Sequence, residues 1–291
     1  MTTNHTLPST QLKDKAVLVR LKRGSVAAYR KDQGATALVE AHVGRDHVGN
    51  FSKHLLKHSA NFKAVQQAMY GLYKYHINHT LPWLDEGLRI LKATNYLGYT
   101  QEMGELSQQV SMAVRNLQQS WPQEVSADAH RLGALFNPDD YPSADRLPEL
   151  FYVDLAFLPV PDTADFRVDI SEEHKRSLEQ AIKDAEQSAS ANVLAQMLEP
   201  LQRMAEKLRV PIGADGSIFR NSLTENLLET AERMERINIS DDPAIARAIA
   251  SVRQLGEKAV LRTDQLRDNP TVRSDTASEV EAMLANLGGL L

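Results

Sequence analysis

The chain has 291 residues, a formal net charge of −5, 42% apolar residues and no cysteine. That length supports one large or two modest domains with a buried core. The missing cysteine excludes disulfides, thiolate nucleophiles and Cys-ligated zinc sites, and it fits a reducing compartment.

The net charge hides an asymmetry. Residues 1–60 hold ten Lys/Arg against four Asp/Glu, and the remaining chain holds 23 against 34. His42, His47, His54 and His58 add titratable charge to the basic end. This pattern reads first as pairing within the fold or between copies, and second as a contact for an anionic partner. The N-terminal stretch has no apolar core of a signal peptide, and no run of about 18 apolar residues occurs. The expectation is a cytoplasmic protein, in the cytosol of a bacterial host, with no membrane partner.

Residues 1–14 are polar and read as a flexible tail. Ala16 to Arg23 is β-branched and partly alternating, which predicts a strand with Val17, Val19 and Leu21 on one face and a break at Gly24. Residues 35–43 are a short helical candidate, followed by a polar turn between Gly44 and Gly49. Residues 60–79 are helical, with Phe62, Val65, Met69, Leu72 and His76 at spacings of three and four. Pro82 ends that stretch. Asp85 to Leu91 reads as a short helical turn. Residues 101–120 form a helix closed by Trp121-Pro122, and 124–136 form another, ended by Asn137-Pro138.

Five prolines between Asn137 and Asp165 exclude a long helix there. Within that segment Phe151 to Leu158 predicts a second strand, paired with the first in one small sheet. From Ser171 the chain reads as helical nearly to its end. Ser171-Glu172-Glu173 is a helix start with acids at the positive end of the dipole. A stripe from Leu178 to Leu208 continues for about 30 residues, or about 45 Å, with Pro200 inside it. Three shorter helices follow. Ser222-Leu223-Thr224-Glu225 predicts a capping box, Asp242-Pro243 an N-cap with proline at N1, Asn269-Pro270 a stop, and Thr276-Ala277-Ser278-Glu279 a weaker box. The last helix ends at Gly288-Gly289.

The fold class expected is mainly α with a small antiparallel sheet (α+β). Its domains are a tail over 1–14, an α+β domain over 15–170 with two paired strands, and a helical region over 171–291.

Catalytic motifs are missing. There is no G-x-x-x-x-G-K-S/T and no G-x-G-x-x-G, so standard phosphate loops are excluded. His54 with His58, and His76 with His79, are spaced for one helix face, yet no third ligand follows, and they read as surface polar groups beside Lys53 and Lys57. Asp139, Asp140, Asp145, Asp162, Asp165 and Asp169 sit beside Pro, Ser or Thr and read as turn formers rather than metal ligands. No catalytic residue, metal or cofactor is therefore assigned. The basic run Arg20, Lys22, Arg23, Arg30 and Lys31 could track a phosphate backbone, with Tyr29 as one stacking group. Its plain alternative is a solvated strand face or a charged sheet edge. The long C-terminal stripe reads either as bundle core or as a seam between chains.

Several short motifs carry a resemblance. They are His79-Thr80-Leu81-Pro82-Trp83, then Leu132 to Asn137 with Asp140-Tyr141-Pro142-Ser143, then Pro159-Val160-Pro161 and Asp165-Phe166-Arg167. Together they resemble a family of unknown function found in phages and conjugative elements, over residues 15 to 210. Some members of that family are encoded near a cobalt-chelatase-like AAA ATPase and a von Willebrand A-type protein. The resemblance implies an accessory protein of a mobile element, an adaptor for such an ATPase. It supplies no catalytic residues. The expected function is a non-enzymatic, self-associating assembly protein, with nucleic-acid binding through the basic strand as the alternative.

Overall fold

The structure, a computed structural model, describes residues 8–84, 87–161, 171–215 and 218–290. In chain order its elements are α1 (Pro8–Lys15), β1 (Ala16–Arg23), β2 (Tyr29–Lys31), α2 (Gln33–Val43), β3 (Ser52–His54), α3 (Ala60–His79), β4 (Leu81–Pro82), β5 (Leu88–Lys92), α4 (Tyr96–Leu132), α5 (Leu147–Leu150), β6 (Val153–Pro159), α6 (Glu172–Arg209), α7 (Asn221–Ile237), α8 (Pro243–Leu261), α9 (Thr263–Asp268) and α10 (Pro270–Gly288). The fold is mainly helical with a small antiparallel sheet, and its C-terminal half is helical, as the sequence predicts.

The chain divides into two compact units. The first takes 1–20, 77–97 and 156–291, and the second takes 21–76 and 98–155. The boundary expected at 170/171 is therefore displaced. The N-terminal strand residues and the segment around β5 join the C-terminal helices, because their apolar side chains share one core.

That core is built on α6. Ile182, Ala189, Val193, Met197, Leu201, Met204 and Leu208 are all buried, and they pack with Leu227, Ala231 and Met234 of α7, Val252 of α8 and Val280 of α10. Of the two uses open to the stripe, the structure shows the first, packing inside the chain. Ser171 caps α6 by accepting from the His174 backbone N–H. At the other end, buried Arg273 of α10 donates to the carbonyls of Leu208, at 3.0 Å, and Lys207. Those terminal carbonyls have no partner within a helix, so the guanidinium replaces one. Burial holds the Arg273 pKa below the ordinary guanidinium value. The helices α7 and α8 cross closely at Gly256, where a Cβ would come within 3.1 Å of Leu228 Cα.

The tail expected over 1–14 is helical from Pro8, because Leu12 is fully buried in the same core; positions 1–7 lie outside the described residues. The four-stranded sheet has the order β4-β5-β1-β6. The predicted neighbours β1 and β6 are adjacent, but β1 also pairs antiparallel with β5, in the register Ala16 to Lys92 and Arg20 to Leu88. Of the helical turn expected at 85–91, residues 85 and 86 lie outside the described residues and Leu88 to Leu91 belong to β5, since Leu88 and Ile90 alternate toward the core and both backbone edges of the strand find partners. On β1, Ala16 and Leu18 belong to the core cluster rather than the Val17 face, and Val19 is buried as well.

In the second unit, α3 and α4 run antiparallel. Asn61 donates to Ser120 Oγ at 2.8 Å near one end, and His76 meets the Tyr99 hydroxyl at 2.6 Å near the other. The two helices expected at 101–120 and 124–136 are one, α4, with Pro122 inside it. A helix-interior proline costs about 3 kcal/mol. Burial of Val114, Leu117 and Trp121, and the indole N–H donated to the Pro142 carbonyl at 2.9 Å, offset that cost.

Two further boundaries move. The helix α7 starts at Asn221 with Arg220 as N-cap, so the expected Ser222 box lies inside it; Thr224 is buried and gives its hydroxyl to the Asn221 carbonyl. Asn269-Pro270 is both a stop and a start: Asn269 caps α10 through Thr271 and Val272, which leaves the predicted box at Thr276 in the middle of that helix. Asp242-Pro243 opens α8 as predicted, with the Asp242 carboxylate accepting from the Ala244 N–H at 2.7 Å. Among the described residues no helix is long and apolar enough to cross a membrane.

Candidate functional site

The second unit carries an arm made of β2, α2 and β3. The strands pair antiparallel, Tyr29 with His54, Arg30 with Lys53 and Lys31 with Ser52, and α2 lies between them in the chain. Local signals fix the helix ends. Asp32 accepts from the Ala35 N–H at 2.9 Å, and Gly44 adopts the left-handed conformation (φ 66°) that closes the last turn. The loop after α2 folds back on it. His47 N–H reaches Glu40 Oε1 at 2.8 Å, and Phe51 N–H reaches Thr36 Oγ1 at 3.0 Å.

Lys53 anchors the arm. Its side chain is buried, and the ammonium nitrogen lies 3.1 Å from Asp32 Oδ2, 2.7 Å from Asp140 Oδ2 and 2.7 Å from the Leu135 carbonyl. Burial alone would lower the Lys53 pKa, but the bonds and charges of Asp140 and Asp32 outweigh it and hold the pKa above its ordinary value. The Ala35 N–H and then Lys53 hold the Asp32 carboxyl below its ordinary value. A second network lies nearby. Buried Asp128 accepts from Leu56 N–H at 2.7 Å, Tyr141 Oη at 2.6 Å and Arg131 Nε at 2.6 Å, and Arg131 also bonds the His54 carbonyl. Burial and Asp128 both raise the Tyr141 pKa. These groups hold one another. The arrangement fixes the root of the arm.

The arm's helix is apolar and uncovered. Ala35, Ala37, Leu38, Val39, Ala41 and Val43 are six of its eleven residues, and none of the eleven is buried. Leu38 is 73% exposed, Val39 48% and Val43 53%. Every other described helix of more than ten residues buries a face. Val48 and Phe51, also exposed, close a groove of about 190 Å³ against Val39 and Thr36. The sequence predicts a helix over 35–43 and assigns no function to it. The signal was present: apolar residues occur on all sides of a short helix within the most basic part of the chain.

The five predicted basic residues divide. Arg30 and Lys31 lie exposed on β2, in the arm. Lys22 is exposed at the end of β1, and Arg23 beside it sits over the Tyr73 ring at 4.0 Å. Arg20 is half-buried and belongs to the first unit, with a buried Nε that has no partner. Tyr29 packs edge-on against His54 at 4.4 Å, so it is partly occupied as a stacking group.

The histidines read as surface polar groups divide. His58 is exposed, His54 ends a strand half-buried beside a buried Lys53, and His76, which shares α3 with His79, is buried. Asp140 is an ion-pair partner, and Asp162, Asp165 and Asp169 lie outside the described residues. Among the described residues no three His, Asp or Glu gather as a metal would require.

No family model, curated protein or solved structure matches the chain.

Proposed function

We propose that this chain is a docking adaptor, whose arm presents α2 to an acidic and apolar surface of a second protein. The observation that carries this reading is an apolar helix with no buried residue. An isolated helix of that length is marginal in water and usually depends on packing one face. Here the caps and the Lys53 anchor hold it, which leaves the apolar side chains for another surface. Full burial of one Leu, Val or Phe contributes about 1.5–3 kcal/mol, so the five exposed groups of the patch can offset the cost of association.

Charge selects the partner. With Lys53 and Asp32 paired to each other, the arm carries Arg30, Lys31 and Arg45, with His42 and His47, against Glu40 and Asp46. Two copies meeting α2 to α2 would bring like charges together, so the chemistry favours a different, acidic protein. The resemblance to mobile-element accessory proteins supplies a candidate, an AAA ATPase of a phage or conjugative element. The role is non-enzymatic in this reading.

The test mixes the full chain with such an ATPase and follows the mass by size-exclusion chromatography with light scattering. A complex that disappears on Leu38→Asp with Val43→Asp supports docking through α2. A complex indifferent to that change refutes it. A self-complex lost on the same change makes a second copy the occupant instead.

The second reading is nucleic-acid binding, favoured by exposed Lys22, Arg30 and Lys31, which make no ion pair among the described residues. It requires a DNA or RNA shift that weakens steeply with salt and disappears on Lys22→Glu, Arg30→Glu and Lys31→Glu while surviving the α2 change.

A further inference from the structure

The first unit holds a cleft of about 910 Å³ between α6 and α7. Arg203, Lys207, Arg220 and Arg233 line it, against only two carboxylates, Glu199 and Glu206. These cations come from two helices and a connecting segment, so only the tertiary fold brings them together. Glu199 pairs with Arg203, but both side chains are well exposed, and such a pair holds weakly. Arg220 makes no ion pair among the described residues.

Arg233 is the informative member. Its Nη1 donates to Asn78 Oδ1 at 2.9 Å, while its Nε is buried without an acceptor. A buried guanidinium N–H left unpaired is costly, and the cost falls when an anion enters beside it. A backbone feature adds to the wall. The helix α7 begins without a side-chain cap, and Ser222 and Leu223 of its first turn line the cleft.

We infer that this cleft binds a small molecule bearing several phosphate groups, held by Arg203, Arg220 and Arg233. Its volume falls in the range of small-molecule sites, which run to about 1,000 Å³. Guanidinium groups match phosphate oxygens two at a time, which favours phosphate over a simple anion. Among the described residues the lining has no aromatic ring on which a base could stack, so the phosphates rather than a base carry recognition. The site is independent of the arm and lies in the other unit.

The experiment is calorimetry and thermal melting of the full chain with inorganic tripolyphosphate, with ATP and with citrate, at low and high salt. Saturable binding of tripolyphosphate or ATP that weakens with salt, and weakens by about tenfold or more in Arg203→Gln with Arg220→Gln, supports the inference. Both side chains are exposed, and an unchanged melting temperature without ligand shows that the variant folds. Tighter binding of ATP makes a nucleotide the source; tighter binding of tripolyphosphate makes it a free oligophosphate. Citrate binding as tightly as either overturns the phosphate class. Absence of binding at millimolar ligand, or equal binding by wild type and variant, overturns the site.

Discussion

Replacing Lys53 by methionine keeps most of the buried stem and removes the charge that roots the arm. The ammonium now lies within 3.1 Å of two carboxylates and one carbonyl. Without it, Asp32 and Asp140 face each other with no cation between them, and the Leu135 carbonyl loses its donor. Removing one partner of a buried ion pair costs about 3–5 kcal/mol. Each carboxylate keeps 16% of its side-chain surface, and Asp32 keeps its bond to Ala35, so the expected loss is about 3 kcal/mol, at the low end. Urea unfolding measures the loss, and hydrogen exchange locates it. Protection should fall over residues 29–59 before it falls in α6. The pH dependence gives an independent check. The Asp32 pKa is depressed on folding, so its contribution is present above the ordinary value of 3.8 and is lost as pH falls through the lower folded value. The Lys53 pKa is raised, so its contribution holds below 10.5 and is lost as pH rises through the higher folded value. Wild-type protection of the arm should therefore fall at both extremes. In Lys53→Met the acid slope should flatten, because one of the groups that hold the Asp32 carboxyl ionised is gone. A variant within about 0.5 kcal/mol of wild type, a change expected of an ordinary surface site, with unchanged exchange in 29–59, would refute the anchoring argument.

Other substitutions follow from the same reasoning. Leu38→Asp with Val43→Asp should leave the urea midpoint nearly unchanged, because both side chains are already in water, while it abolishes any partner complex. Arg273→Met should cost about 3 kcal/mol, since it leaves the Leu208 and Lys207 carbonyls unpaired at a buried helix end; calorimetric melting measures it. Gly24→Ala should cost about 1–3 kcal/mol, because its Cβ would fall 2.3 Å from the Leu150 carbonyl oxygen and 2.4 Å from the Tyr152 ring. Gly256→Leu should destabilise the first unit by a similar amount through the α7–α8 crossing, read as a lower melting temperature with the arm's exchange unchanged.

By itself the sequence determined the α+β class, the strands near 16–23 and 151–158, and the long helix from Ser171 past Pro200. Those features rest on periodicity and capping, which are local: Ser171 and Asp242 cap the helices they were expected to open. Local signals failed where packing outweighed them. Pro122 runs through α4 because Leu117 and Trp121 before it and Asp128 after it are buried, and the segment before Lys92 is a strand because β1 and β4 flank it. Both candidate sites belong to the tertiary structure. The basic run was legible, but which of its members share a surface was not, since Arg20 falls in one unit and Arg30 and Lys31 in the other. The exposure of α2 depends on what fails to pack against it, and no single segment states that. Lys53 looked like a surface lysine beside a histidine; only the approach of Asp140, far along the chain, made it a buried anchor.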